Sequence, residues 1–263
     1  MAVRDDARAG AQPPGWMLLA LEGRAPIEWC ATLAMWPLLR MASRGDGHPV
    51  IVFPGLATGD FSTFLLRGFL RNHGYDTYGW DLGLNFGPRS GVIRRSIERI
   101  RKISDDSGRR VSLIGWSLGG IYAREFAKVV PESVRSVITL GTPFSGDPKA
   151  TNAWRLYEFA SGHRLDNPEL LAQLRQAPPV PTTSIFSRSD GVVAWPLSLQ
   201  DAGTGCENIE VQASHIGLGM NPAALYAMAD RLSQDEGRWE KFHRRGWRNL
   251  VFADPDRAAG GRP

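Results

Sequence analysis

The 263 residues suffice for one large α/β domain or two small ones, and 43% apolar with 22% charged residues is typical of a globular chain. No apolar run approaches the roughly 20 residues of a membrane span, and no segment has the pattern of a secretory signal, so we expect a cytoplasmic protein. Residues 237–263 carry seven Lys and Arg against three Asp and Glu, which is the whole net charge of +4. A neutral body with a basic tail argues against a nucleic-acid partner.

Residues 1–48 are predicted to form an N-terminal extension. Residues 1–15 are charged and rich in Pro and Gly, which predicts a disordered start. Residues 16–43 contain two apolar stretches without the alternation of strands, so they predict helices, with Pro26 near a helix start and Pro37 near a break.

Residues 49–236 predict one α/β domain. Short, continuously apolar strands alternate with helical segments, a pattern that indicates a mostly parallel sheet buried on both faces. The helix at 61–74 places Phe61, Phe64, Leu65 and Phe69 on one face. About six strands are predicted, at residues 50–54, 75–80, 111–115, 134–140, 182–188 and 207–212.

Residues 145–181 interrupt the alternation, directly after the strand that follows Ser117. They read as two helices and a proline-rich return, so we interpret them as a helical cap inserted over a site. The apolar side chains of this segment are as well suited to lining an acyl-binding cavity as to packing the cap onto the body.

The stretch VSLIGWSLGG (111–120) contains the pattern G-x-S-x-G, with a strand before it and a helix after it. Gly115 and Gly119 fit a sharp, strained turn whose neighbouring positions tolerate no side chain. Such a turn presents the Ser117 hydroxyl at the carboxyl edge of the sheet and at a helix N-terminus, where negative charge is stabilised. Ser117 is therefore the candidate nucleophile.

A serine nucleophile needs a base that is oriented by an acid. His215 lies in the loop after the last strand, at the same sheet edge as Ser117. Asp190 follows the strand 182–188, which gives the chain order Ser, Asp, His that this motif predicts. Asp147, after the strand 134–140, is the alternative acid.

Backbone N–H groups are expected to stabilise the oxyanion of a tetrahedral intermediate. The residue after the nucleophile, Leu118, supplies one, and Leu56, in the loop after the first strand, supplies the other. Trp116 and Asn85 are candidate pocket residues; Asn85 is chosen only because it follows the second strand on the same edge.

These segments resemble the α/β-hydrolase superfamily, and within it the bacterial lipases and esterases. The resemblance rests on VIVFPGL, GWSLGG, VITLGTPFSG, SRSDGVV and SHIGLG, which span residues 49 to about 236. It implies a compact α/β-hydrolase fold and cleavage of a small-molecule or lipid ester without a cofactor or metal. Two features depart from the pattern: Pro54 stands where many lipases have His, and residues 1–48 carry no strands.

Three functions stay open at this point. A carboxylic ester hydrolase comes first, an acyltransferase that uses the same serine second, and a non-catalytic α/β-hydrolase-fold binding protein third. Residues 237–263, a basic and aromatic-rich C-terminal tail, either contact an anionic membrane peripherally or pack back along the body. The sequence does not indicate an oligomeric state.

Overall fold

The computed structural model describes residues 7–8, 10–162, 164 and 167–257. Within these residues one sheet has the strand order β2-β1-β3-β4-β5-β6, and every neighbouring pair is parallel. The prediction of about six mostly parallel strands flanked by helices is confirmed. The strands are β1 (Pro49–Phe53), β2 (Asp76–Gly79), β3 (Val111–Trp116), β4 (Val134–Leu140), β5 (Thr182–Phe186) and β6 (Cys206–Glu210).

Helices cover both faces of the sheet, because both faces of its strands are apolar. The helices are α1 (Trp16–Ala20), α2 (Ala25–Leu39), α3 (Phe64–Asn72), α4 (Val92–Ser107), α5 (Leu118–Val129), α6 (Trp154–Ser161), α7 (Pro168–Arg175), α8 (Pro222–Leu232) and α9 (Arg248–Val251). On β1, Val50 and Val52 join the core under α2, α3 and α8, whereas Ile51 and Phe53 join the core under α4 and α5.

The position of the site follows from the strand order. Strand β2 lies on one side of β1, and the chain then returns past β1 so that β3 lies on its other side. In parallel α/β sheets, ligands bind at the carboxyl ends of the strands where the order reverses in this way. Phe53 of β1 is paired with Gly115 of β3, so the loop after β1 and the turn after β3 start side by side.

The N-terminal segment is helical where helices were predicted. Helix α2 passes through Pro37 and ends two residues later, at Leu39. Of the segment predicted to be disordered, residues 1–6 and 9 lie outside the described part of the chain. For Arg8 the prediction is wrong: its side chain is buried and donates to Asp201 Oδ1 and to the Leu199 carbonyl, both at 2.6 Å.

The predicted apolar face of the helix at 61–74 is only partly buried. Phe69 packs in the core, but Phe61 is 89% exposed and Phe64 is 51% exposed, with their rings stacked 6.0 Å apart. Phe61 belongs to a 3-10 turn (Asp60–Thr63) that precedes α3, so the α-helical period does not apply to it. Within α3 the buried face consists of Leu66, Phe69 and Leu70, which leaves Phe64 outside it.

The described part of the C-terminal tail, residues 237–257, contacts the body of the protein at several points. The Phe252 side chain is fully buried and its ring contacts those of Tyr226 and Phe242. Arg248 donates to the Tyr226 hydroxyl at 2.7 Å. The described residues contain no helix that is both long enough and apolar enough to span a bilayer.

Candidate active site

Ser117 occupies a strained turn between β3 and α5. Its φ of 53° is in the left-handed region, which costs a non-glycine residue about 1–3 kcal/mol. The turn is held because the Ser117 N–H donates to the Leu140 carbonyl of β4 at 2.8 Å. A Cβ on Gly119 would collide with the Phe53 carbonyl, and one on Gly115 would collide with the backbone of Gly119 and Gly120. Both glycines are therefore needed for the close approach of α5 to β1 and β3.

Asp190 and His215 form a buried pair at the ends of β5 and β6. Asp190 Oδ2 lies 2.6 Å from His215 Nδ1, while Oδ1 accepts the N–H groups of Val192 and Val193 at 2.8 and 2.7 Å. Burial by itself lowers the pKa of His215, but the charge and hydrogen bond of Asp190, with the charge of Glu22, outweigh it. The pKa of His215 is accordingly raised above its ordinary value.

Ser117 and His215 line the same groove, whose volume is about 470 Å³. Because Nδ1 faces Asp190, the ring nitrogen left for Ser117 is Nε2. Among the described residues no hydrogen bond joins Ser117 Oγ to His215. The alternative acid, Asp147, is exposed, and its Oδ1 accepts the Lys149 N–H at 2.9 Å at the start of a 3-10 turn.

Leu56 and Leu118 flank Ser117 around a second cavity of about 100 Å³. In the described part of the chain neither of their backbone N–H groups donates a hydrogen bond. The adjacent Ala57 has a φ of 57°, and its N–H donates to the Asn85 carbonyl at 2.7 Å. Leu56 and Leu118 thus share a cavity with Ser117, and the described residues give their N–H groups no acceptor.

The prediction that Asn85 lines the pocket is wrong. Asn85 is fully buried beneath the loop after β1, where its Nδ2 donates to the Pro54 carbonyl at 2.8 Å. Its backbone N–H donates to the Thr58 carbonyl, also at 2.8 Å. Asn85 thus holds both ends of the segment that contains Leu56, a role that its position after β2 did not reveal.

Trp116 lines the groove and also contacts the histidine loop. Its Nε1 donates to the His215 carbonyl at 3.1 Å, and 9% of the residue is exposed. The indole therefore forms a wall of the groove and supports the backbone of His215.

The two spaces beside Ser117 are mostly apolar. Residues of the insertion 145–181 line both: Trp154, Tyr157 and Leu174 border the smaller cavity, and Leu156 borders the groove. A further channel of about 170 Å³ between α2 and α3 shares four residues with the groove. The rim of the groove carries half-exposed or exposed apolar side chains from four segments, namely Trp29, Phe61, Phe64, Leu156 and Ile216.

Three charged residues that sequence reasoning missed contact the loops of Asp190 and His215. They are Glu22, Arg24 and Glu28, all from the N-terminal segment. Between 165 and 194 positions separate them from their partners, so no local pattern could have indicated these contacts.

Two lipases are similar to this chain, one in sequence and one in structure. The triacylglycerol lipase of Burkholderia plantarii is 30% identical over 152 residues, which are 53% of this chain and 42% of that protein. Lipase B of Aspergillus fumigatus has a similar structure (TM-score 0.56), with 21% identity over 72% of this chain and 53% of the other. The chain thus spans about half the length of these two lipases.

An α/β superfamily hydrolase from Oenococcus oeni is also similar in structure. Its TM-score is 0.52, with 19% identity over 71% of this chain and 91% of the other. No model of a known protein family matches the chain. Structural likeness at such low identity establishes the fold.

Proposed function

We propose that this chain, which has the fold of the α/β-hydrolase superfamily, is a serine hydrolase that cleaves carboxylic esters. The observation that carries the proposal is the buried Asp190–His215 pair, 2.6 Å apart, in the same groove as a serine at a strained turn. A scaffold that only binds ligands has no use for this combination, because the strain at Ser117 costs stability.

In the proposed reaction Ser117 Oγ attacks the ester carbonyl carbon, and His215 Nε2 takes the hydroxyl proton. Asp190 stays ionised and stabilises the imidazolium through Nδ1–H. The negative charge on the former carbonyl oxygen is stabilised by the N–H groups of Leu56 and Leu118. When the intermediate collapses, the alkoxide leaves with the proton from Nε2, and the acyl group stays on Ser117.

Deacylation repeats these steps with water. His215 Nε2 removes a proton from the water as its oxygen attacks the acyl-enzyme, and the proton then returns to Ser117 Oγ. The carboxylic acid is released, and the enzyme is restored without any cofactor.

The lining of the groove supports an apolar acyl group as the part of the substrate that it binds. Aromatic and aliphatic side chains surround both spaces beside Ser117, and burying each methylene there contributes about 0.8 kcal/mol. The similarity to a triacylglycerol lipase is in line with a lipid ester as substrate.

The first test is hydrolysis of p-nitrophenyl esters from acetate to palmitate by wild type and by Ser117→Ala. We expect release that depends on Ser117, and labelling of Ser117 by a fluorophosphonate probe. Labelling without release at any chain length, with product formed once an acceptor alcohol is added, would instead indicate an acyltransferase. Absence of both labelling and release would indicate a binding protein.

Peripheral membrane contact through the tail remains an expectation. Trp247 (55% exposed) and Leu250 (89% exposed) are the described apolar side chains of the tail best placed for it. Weaker co-sedimentation of Leu250→Ser with anionic vesicles, relative to wild type, would support that contact. A cytoplasmic location also stays a prediction.

A further inference from the structure

The carboxylate of Glu22 joins the two loops that carry Asp190 and His215. Its Oε1 accepts the N–H of Gly191 at 2.7 Å and that of His215 at 2.9 Å, and its Oε2 accepts the N–H of Ile216 at 2.9 Å. Gly191 directly follows Asp190. One side chain from the N-terminal segment therefore fixes the backbone next to the acid and the backbone of the base.

Glu22 is itself buried, with 6% of the residue exposed. A carboxylate can only accept hydrogen bonds, and burying one is costly unless donors satisfy it. The three backbone N–H groups do so here, and they belong to loops after two different strands. Losing the carboxylate would leave these N–H groups unpaired in the two loops that must keep Asp190 and His215 aligned for catalysis.

A second set of contacts reinforces this attachment. Glu28 Oε1 accepts the Ser214 N–H at 2.7 Å and pairs with Arg24 at 3.0 Å. Arg24 in turn donates to the Ser189 carbonyl at 3.0 Å and to the Ser189 hydroxyl at 2.7 Å. The residues on both sides of the catalytic pair are thus bound to the N-terminal segment.

The glycines of these loops allow the segment to approach so closely. A Cβ on Gly191 would collide with the Leu18 carbonyl, and a Cβ on Gly217 would collide with the Glu28 carboxylate. Gly191 therefore has a steric reason in addition to the hydrogen bonds, and Gly217 leaves room for the carboxylate that accepts the Ser214 N–H.

We propose that Glu22 is a positioning residue for the acid–base pair: it holds His215 against Asp190, and its negative charge stabilises the imidazolium that forms during catalysis. This role rests on the proposed function. Glu22 lies outside both spaces beside Ser117, so it acts through His215 and not on the substrate. The charged groups that act on His215 are Asp190 and Glu22, with the Arg24–Glu28 pair next to them.

The test compares Glu22→Gln with Glu207→Gln, a matched control. Glu207 is also buried and also accepts a backbone N–H, that of Phe242 at 2.7 Å, but it lies at the start of β6, away from the site. Rates are divided by the number of sites that a fluorophosphonate labels, so unfolded protein does not count. We expect Glu22→Gln to lower kcat per site about 10- to 100-fold, because a neutral amide forms weaker hydrogen bonds to the backbone of the His215 loop than a carboxylate does, with little change in KM.

The pH profile separates positioning from a merely structural role. Without the charge of Glu22 the pKa of His215 falls. The acidic limb of the plot of kcat/KM against pH should therefore move to lower pH in Glu22→Gln and stay in place in Glu207→Gln. Glu22→Asp keeps the charge and is expected to keep the limb while losing kcat. It also serves as the variant to measure if Glu22→Gln does not fold. An unchanged limb together with an unchanged kcat per labelled site in Glu22→Gln would overturn the proposal.

A readout without turnover keeps this proposal distinct from the proposed function. In Ser117→Ala protein, NMR titration of the His215 ring reports its pKa directly, and adding Glu22→Gln should lower it. If wild type hydrolyses no ester but this shift is observed, the proposed function fails while the contact between Glu22 and His215 stands. If wild type hydrolyses esters and the shift is absent, the role of Glu22 fails alone.

Discussion

Replacing Asn85 with Ala tests whether the loop after β1 has to be held in place for catalysis. The substitution removes the amide that donates to the buried Pro54 carbonyl at 2.8 Å. It leaves intact the backbone of residue 85, which accepts the Ala57 N–H at 2.7 Å. It also removes the amide oxygen that accepts the buried Gly87 N–H at 3.2 Å, so two side-chain contacts are lost, one of them beneath the segment that carries Leu56.

The magnitude follows from two competing contributions. A buried carbonyl without its donor costs about 1–3 kcal/mol, which is similar to the roughly 1–3 kcal/mol of strain at a left-handed residue such as Ala57. The loop can then lower its free energy by relaxing, and the Leu56 N–H moves away from the oxyanion. Losing one such donor costs about 3 kcal/mol, so we expect kcat to fall by roughly 100-fold or more. KM should change little, since Asn85 does not reach the groove.

The assay is kcat and KM on a short p-nitrophenyl ester, with the melting temperature measured alongside. Asn208→Ala is the matched control, because Asn208 also bonds backbone, at Gln200, but lies on β6 near the opposite end of the sheet. It should lose stability without losing kcat per labelled site. If Asn85→Ala keeps kcat within a few-fold of wild type, the loop after β1 keeps its position without the Asn85 side chain, and our reasoning about Asn85 is refuted.

Three further predictions concern the acid, the acyl channel and pH. Asp190→Asn should lose about four orders of magnitude in kcat by stabilising the wrong imidazole tautomer, while Asp147→Asn keeps near-normal activity; the reverse result would assign the acid to Asp147. Gly68 borders the channel between α2 and α3, and a Cβ there meets no atom within 4 Å, so Gly68→Phe should fill the channel. We expect Gly68→Phe to slow hydrolysis of the palmitate ester at least about 10-fold relative to hydrolysis of the acetate ester. The control Gly68→Ala should not change this ratio. Equal slowing of both esters by Gly68→Phe would show that acyl chains do not use the channel.

The pH prediction follows from the raised pKa of His215, which must be neutral to act as base. The acidic limb of kcat/KM should therefore have its midpoint above the ordinary 6.5. A midpoint below 6.5 would show that burial of the ring outweighs the charge and hydrogen bond of Asp190, contrary to our reasoning. The same shift means that the folded state binds this proton more tightly than the unfolded state. Its contribution to stability is present below pH 6.5 and is lost as pH rises through the folded-state pKa, so activity and this stability change in opposite directions.

Much of the architecture could be predicted because local patterns determine it. Continuous apolar runs of strand length, separated by helical segments, fit only a sheet that is buried on both faces. In a parallel sheet all carboxyl ends lie on one edge, so the loops after β1, β3, β5 and β6 had to face the same side. Once the G-x-S-x-G motif indicates Ser117, the acid and the base can for this reason be chosen from their positions after later strands, and the structure brings Asp190 and His215 together.

Local patterns in the sequence are sufficient to predict the elements, their order and the edge of the sheet that carries the site. The side of the loop that Asn85 occupies, the position of Phe61 at the rim of the groove, and the contact of Glu22 with His215, 193 positions away, become visible only in the folded chain. The physical reason is the range of the interactions. Periodicity and turn chemistry act over a few residues, whereas these contacts form between segments that meet only when the whole chain has packed.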